Sequence, residues 1–266
     1  MRTRSWTVIS MVLVAALAAC GSDAGGDGSG DGDGSGDGDG GGPDAGGGVD
    51  APDVRFSFFV TSLATMRAQS GSQDGFGGNL GGLAGADQIC QRAAEAVGFG
   101  HKTWRAFLST YNNGSPIHAI DRIGEGPWYD RNGRLIAMNK AGLISGNRPA
   151  GDAATINDLP DENGTPLTTL GDTHDIMTAS NTEGRFDGTS AAASCQDWTS
   201  ASGSVGANQV RCGHSWPAMS GRHWIRAHTL HGCAPGVNLV QNGPGTGNSV
   251  GAGGGWGGIY CFALEP

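Results

Sequence analysis

The sequence predicts an α+β domain carried at the end of a glycine-rich tether. Three observations support this: one well-marked amphipathic helix near the start of the domain, short β-rich segments after it, and long glycine-punctuated loops between them. No fixed period links the segments, so a repeat array is not expected. Of 266 residues 50 are glycine, and 15 of those, with nine aspartates and no Lys or Arg, lie between Gly21 and Asp53. That stretch cannot bury apolar surface and reads as a solvated linker over residues 20–53, leaving 54–266 to fold.

The domain opens with Phe56–Ser62, a β-rich segment that starts where the glycine tract ends and places the boundary near Val54. A glycine-rich loop follows over 71–82. From Ala86 to Val97, residues Ile89, Ala93 and Val97 fall on one helical stripe with Ala86 and Cys90 beside them, and Gly98 ends the helix. Trp104–Ser109 alternates like a strand. Trp128–Ala137 reads as a hairpin whose Asn132-Gly133 pair signals a type I′ turn. Beyond Gly142 the chain is mostly loop, with short apolar pieces at Ile176-Met177, Trp198, Trp224-Ile225 and Val237–Leu239, and a final strand over Ile259–Leu264.

The formal net charge of −9 resides mostly in the tether, because residues 54–266 hold 14 basic and 16 acidic side chains. A near-neutral domain on an acidic tether lacks the basic field that nucleic-acid binding needs. The only long apolar run, residues 7–19, is shorter than the roughly 20 residues of a spanning helix, so a transporter or channel is not expected. Residues 1–19 read instead as a signal peptide: a basic start through Trp6, an apolar stretch from Thr7 to Ala16, then small residues. Leu17-Ala18-Ala19-Cys20, followed by Gly21, resembles the lipobox of bacterial lipoproteins. The resemblance implies export, lipidation of Cys20 as the mature N-terminus and, with Gly21 in place of an aspartate, anchoring to the outer membrane. Membrane association would then run through the lipid alone. Within the tether, Asp31, Asp33, Ser35 and Gly36 imitate the start of an EF-hand loop, but Gly42 stands where the bidentate glutamate belongs. A flexible spacer, about 30 Å in coil dimension, is the simpler reading.

Cys90, Cys195, Cys212, Cys233 and Cys261 remain in the domain, and an exported chain places them where disulfides persist. Five cysteines leave at least one unpaired within a monomer, and spacing alone leaves the connectivity open. Gly85-Ala-Asp-Gln-Ile-Cys90-Gln-Arg-Ala, Ala96-Val-Gly98 and Arg105-Ala-Phe-Leu-Ser109, followed by Cys195-Gln-Asp-Trp198, Cys233 and Tyr260-Cys261-Phe262, resemble in order and spacing the endostatin domain. Phe58-Phe-Val-Thr-Ser62 and Gly78–Ala86 are also similar to a bacterial surface-lipoprotein family of unknown function. Together the resemblances cover about residues 56–264. They imply a C-type-lectin-like fold with paired terminal strands, short antiparallel strands and long loops. They also imply nested bridges, Cys90–Cys261 and Cys195–Cys233, with no counterpart for Cys212. The outer bridge would contribute roughly 4–5 kcal/mol on chain-entropy grounds.

Calcium-dependent lectins use a Glu-Pro-Asn or Gln-Pro-Asp triplet with a Trp-Asn-Asp strand, and this sequence has neither. Asp158, Asp161, Glu162 and Asn163 are the one dense oxygen cluster of the domain and read as a solvated turn. Endostatin's zinc histidines lie near the domain start, where this chain has none between Val54 and Gly100. Later histidines do gather at His214, His223, His228 and His231 beside Trp216 and Trp224, which makes His223, His228 and His231 weak metal candidates. If 222–229 is a strand, His223 and His228 face opposite ways, which works against a compact site. Gly213-His214-Ser215-Trp216-Pro217 ends in proline, unlike a nucleophile elbow. Trp256, set among Gly251, Gly253–Gly255, Gly257 and Gly258, is the best candidate for an exposed aromatic contact, because few side chains are at hand to cover it.

The expectation is therefore a lipid-anchored surface protein displaying a non-catalytic module that binds a glycan or an extracellular, matrix or cell-surface protein. No cofactor is expected, since no motif supports Ca or Zn. The rivals are a metal-assisted hydrolase using the 214–231 histidines with Asp197 or Glu162, and a structural envelope protein.

Overall fold

A computed structural model describes residues 53–265 except 157, 204–209, 218–220 and 241–246. The expected signal peptide, Cys20 and the expected tether through residue 52 lie outside the described residues. The architecture is mixed, with few helices and several short strands in sheets. No helix among the described residues is long and apolar enough to cross a membrane.

The last strand is the axis of the fold. Strand β8 (Gly258–Ala263) is buried along its whole length and pairs antiparallel with β1 (Phe58–Val60), through Phe58–Phe262 to Val60–Tyr260. It also pairs antiparallel with β2 (Trp104–Ala106) and, at its start, parallel with β5 (Asp175–Met177). From β5 the sheet continues antiparallel through β6 (Arg211–His214) to β7 (His228–Thr229), giving the order β1-β8-β5-β6-β7 with β2 on β8. The pairing of the first and last strands matches the expectation. The core is aromatic around Phe262, whose ring lies 4.9 Å from Phe58, 5.4 Å from Trp128 and 5.6 Å from Phe107.

The expected helix is α2 (Gly82–Ala96), which buries Ile89, Cys90 and Ala93 as the periodicity required. Its docking is covalent and ionic: Cys90 is bonded to Cys261 on β8. Asp87 accepts from the Ala106 amide and from Arg105 and Arg122 across the helix–strand contact. A second helix, α1 (Leu63–Ser70), was not expected from sequence because it buries only Leu63 and Met66. Its ends are nonetheless well defined, since Ser62 Oγ accepts from the Thr65 amide and Gly71 closes it at φ +70°.

The structure shortens or reshapes other expectations. The strand expected over 104–109 ends at Ala106. In the hairpin, β3 (Trp128–Tyr129) and β4 (Leu135–Ala137) are joined by a longer turn. There only Gly133 has positive φ, and the Gly133 amide donates to Asp130 O. A type I′ turn needs positive φ at both central residues, so that expectation is corrected. Lys102 fixes the domain entrance, its buried ammonium donating to Val54 O and Phe56 O.

The second disulfide is Cys195–Cys233, so the nested pairing implied by the resemblance is present. Cys212 is a free thiol, wholly buried. Burial and the adjacent Asp175 carboxylate push it well above the usual thiol range. In the native protein Cys212 is expected to resist iodoacetamide at neutral pH and to react fully only after denaturation, as peptide mapping would show.

Candidate functional site

Strands β5, β6 and β7 collect chemistry on one face. The register sets Asp175 opposite His214, Met177 opposite Cys212, and Cys212 opposite His228. Residues directly opposite, or two apart on one strand, share a face, so Asp175, Cys212, His214 and His228 point the same way. His174 precedes the strand and by alternation should point elsewhere. Its amide and that of Asp175 both donate to Gly254 O at 2.9 Å, a break in the pleat that lets the ring turn back. His174 and His214 stack at 4.3 Å between centroids, and His228 meets them edge-on at 5.1 and 5.5 Å.

Two carboxylates orient two of the rings. His174 Nδ1 lies 3.0 Å from Asp172 Oδ1, and His228 Nδ1 lies 2.8 Å from Asp175 Oδ1. An ionised carboxylate only accepts, so each Nδ1 carries a proton, and in the neutral ring each Nε2 presents a lone pair. His174 Nε2 is buried without a hydrogen-bond partner, its nearest carboxylate oxygen being Asp175 Oδ1 at 3.7 Å. His214 is held down to about 2 by burial first, then by His174, His228 and Arg222. Its ring therefore stays neutral at physiological pH, with the Trp216 amide approaching Nδ1 at 3.4 Å. Among the described residues, His174, His214 and His228 are the group whose donor atoms fall within metal-binding reach, all within 4.8 Å of one another.

Trp216 stands edge-on to His174 and His214 and is half-buried. With Asp158, Pro166, Thr168, Thr169, Gly171 and Asp172 it walls a cleft of about 590 Å³. Asp172 and Trp216 thus belong both to the cleft and to the histidine cluster. The glycine-rich segment behind the cluster makes this closeness possible. A Cβ on Gly253 would lie 2.2 Å from Asp175 Oδ2, and one on Gly254 would lie 2.7 Å from Asp172 O.

Three expectations are corrected here. Trp256 is only 2 % exposed and its indole N–H donates to Thr61 O, so it is a core residue and not an exposed contact. Of the metal candidates, only His228 joins the cluster. His223 is buried with Nδ1 accepting from the Ile225 amide, and His231 is exposed, outside the convergent group. In the acidic turn Asp158, Asp161 and Glu162 are buried, not solvated, and only Asn163 of the four is exposed. Asp161 Oδ1 accepts from the Asn163 and Thr165 amides, and Glu162 accepts from the Ser62 amide and hydroxyl and from Thr65 Oγ1. Asp197 is likewise occupied by the Tyr111 and Asn112 amides and Ser194 Oγ. Ser215, in the elbow-like pentapeptide, is fully buried.

His174 and Asp172 are the members that sequence reasoning missed. The usable signal was the Asp172-Thr173-His174-Asp175 run, an imidazole flanked by carboxylates, but its partners lie 40 and 54 residues away.

His223 makes a pH dependence measurable. Burial first, then Arg226, lowers it to about 4, against about 6.5 for an unhindered imidazole. The unfolded chain therefore binds a proton that the folded one refuses, so stability is complete above pH 6.5 and falls as pH drops toward 4. The slope approaches about 1.4 kcal/mol per pH unit from this residue, and His214 acts in the same direction. Urea unfolding at several pH values should show that slope, reduced in His223→Gln.

No family model matches this chain, and no curated protein matches it in sequence.

Proposed function

We propose that this chain is an exported, outer-membrane-anchored lipoprotein whose C-type-lectin-like domain binds a glycan without catalysis. The observation that carries the ligand reading is the Trp216 cleft. One wall is an indole, whose flat apolar face suits a pyranose ring. Around it stand the Asp158 and Asp172 carboxylates and the Thr168 and Thr169 hydroxyls; Thr168 Oγ1 donates to Asp158 and Thr169 Oγ1 to Pro166 O, so what this wall offers to sugar hydroxyl groups is chiefly acceptor oxygens. Among the described residues no Lys or Arg lines the cleft, which disfavours a polyanion. The paired terminal strands and nested disulfides support the lectin-like reading of the fold, and the loops supply the contacts, as binding loops on a rigid scaffold commonly do. The hydrolase alternative loses its proposed carboxylates, because Asp197 and Glu162 are both occupied by backbone amides and hydroxyls.

Saturable binding of the purified chain on a glycan array is the test. Trp216→Ala should cost about 2 kcal/mol or more, roughly 30-fold in affinity. Retention on matrix proteins with no glycan signal would overturn the ligand class. Silence on both would favour a structural envelope role. The anchor is tested separately: Cys20→Ala should move the protein from the membrane fraction to the soluble fraction, and detergent-dependent retention of that variant would contradict the lipobox reading.

A further inference from the structure

We propose that His174, His214 and His228 together hold one divalent transition-metal ion of the zinc class, with a fourth coordination position left to an external ligand. This stands apart from what the cleft binds, and either can fail without the other.

The donor set decides the metal class. Among the described residues the convergent donors are three imidazoles, which suit zinc, copper or nickel, whereas calcium and magnesium require oxygen. The strongest single observation is that His174, a member of the convergent group, has its Nε2 buried and unpartnered. An orphaned buried acceptor is destabilising, a cost that coordination would remove. Asp172 and Asp175 hold the Nδ1 atoms of His174 and His228, the arrangement that fixes a ligating imidazole's tautomer and orientation. Their two negative charges also offset a dication in a site where His174 and Asp175 are almost wholly buried. Zinc–nitrogen bonds of about 2.0–2.1 Å place tetrahedral donors about 3.4 Å apart, so donors within 4.8 Å need shift by only about an ångström.

The site has the composition of an exchangeable centre. A structural zinc is closed by four protein ligands, and here three converge. The domain is already closed by two disulfides, so the metal is not needed as a staple. His228, its side chain a quarter exposed, is the ligand through which solvent reaches the centre. The backbone at Gly253 and Gly254 packs against Asp175 and Asp172 where no side chain would fit, so the supporting carboxylates are held by the scaffold.

The test uses the full chain, purified in detergent, stripped with chelator and titrated with zinc chloride by calorimetry. One ion per chain is expected. His228→Ala should weaken binding more than 100-fold, and Asp172→Asn and Asp175→Asn about 10–100-fold, as outer-shell partners do. His223→Ala and His231→Ala should bind as the parent does, and calcium should give no heat. His228 sits partly exposed on a two-residue edge strand, so its variant is the one best placed to fold, and a melting curve without metal verifies that it does. Cobalt in place of zinc should give four-coordinate visible bands that change when azide fills the fourth position. Zinc binding absent from the folded parent, or unchanged in a folded His228→Ala, would overturn the assignment. Loss of binding in His223→Ala or His231→Ala with the fold intact would move the site elsewhere.

Discussion

Replacing Trp256 with alanine is expected to destabilise the domain by about 3–5 kcal/mol, the cost of removing a large side chain from a packed core. The ring is 2 % exposed, and its N–H donates to Thr61 O at 3.1 Å. Thr61 Oγ1 in turn accepts from the Ile259 amide at the head of the central strand. Truncation therefore leaves both a cavity and an unpartnered carbonyl at the point where β8 enters the sheet. A melting temperature lowered by roughly 10 °C or more is the expected reading. A shift of only a degree or two would return Trp256 to the list of exposed contacts and contradict the packing described above.

Removing the outer bridge with the double substitution Cys90→Ala and Cys261→Ala should cost about 4–5 kcal/mol, since the bridge closes a separation of 171 residues. Much of that comes from the unfolded chain, which regains freedom when the bond is absent. The native side adds to it, because Cys90 lies in α2 and Cys261 in the centre of β8, so the bond joins helix to sheet. Against a typical net stability of about 5–15 kcal/mol the loss would leave the fold marginal. Denaturant unfolding of oxidised parent and variant is the comparison. An unchanged midpoint would mean that the bridge is not formed in the native protein.

The contrast between these two residues shows what could be read in advance. The bridge was legible through a resemblance of the cysteines, in order and spacing, to those of the endostatin domain, and α2 because its apolar residues repeat at helical period. Trp256 was misread for a physical reason. Abundant neighbouring glycines suggest a ring that nothing can cover, yet residues distant in sequence pack around it: Trp256 belongs to the hydrophobic core and lines a small cavity with Leu63, Leu167 and Leu170. Glycine adds a close approach, since a Cβ on Gly258 would lie 3.2 Å from the indole nitrogen.

The histidine cluster lay beyond sequence reasoning for a different reason. Its residues come from β6, β7 and the position just before β5, whose neighbour relations are set by pairing across the sheet, and nothing in their spacing encodes that pairing. Treating 222–229 as one strand sent His223 and His228 to opposite faces, when the strand is only His228–Thr229. Gly213 explains where the preceding segment goes. A Cβ there would lie 1.7 Å from Trp224 O, so the backbone at Trp224 crosses directly over β6, and His223 is drawn into a backbone bond with the His214 amide. Helix α1 was missed because it buries too little apolar surface to show a period, and only its capping residues mark it.

The proposed working face of the domain lies where β5, β6 and β7 meet the Trp216 cleft. Diffraction from crystals grown with zinc, recorded on both sides of the zinc absorption edge, tests this most directly. The account predicts one anomalous peak, bounded by His174, His214 and His228 with the Asp172 and Asp175 carboxylates behind two of them. A peak confined to exposed histidines such as His231, or no peak at stoichiometric zinc, would contradict it.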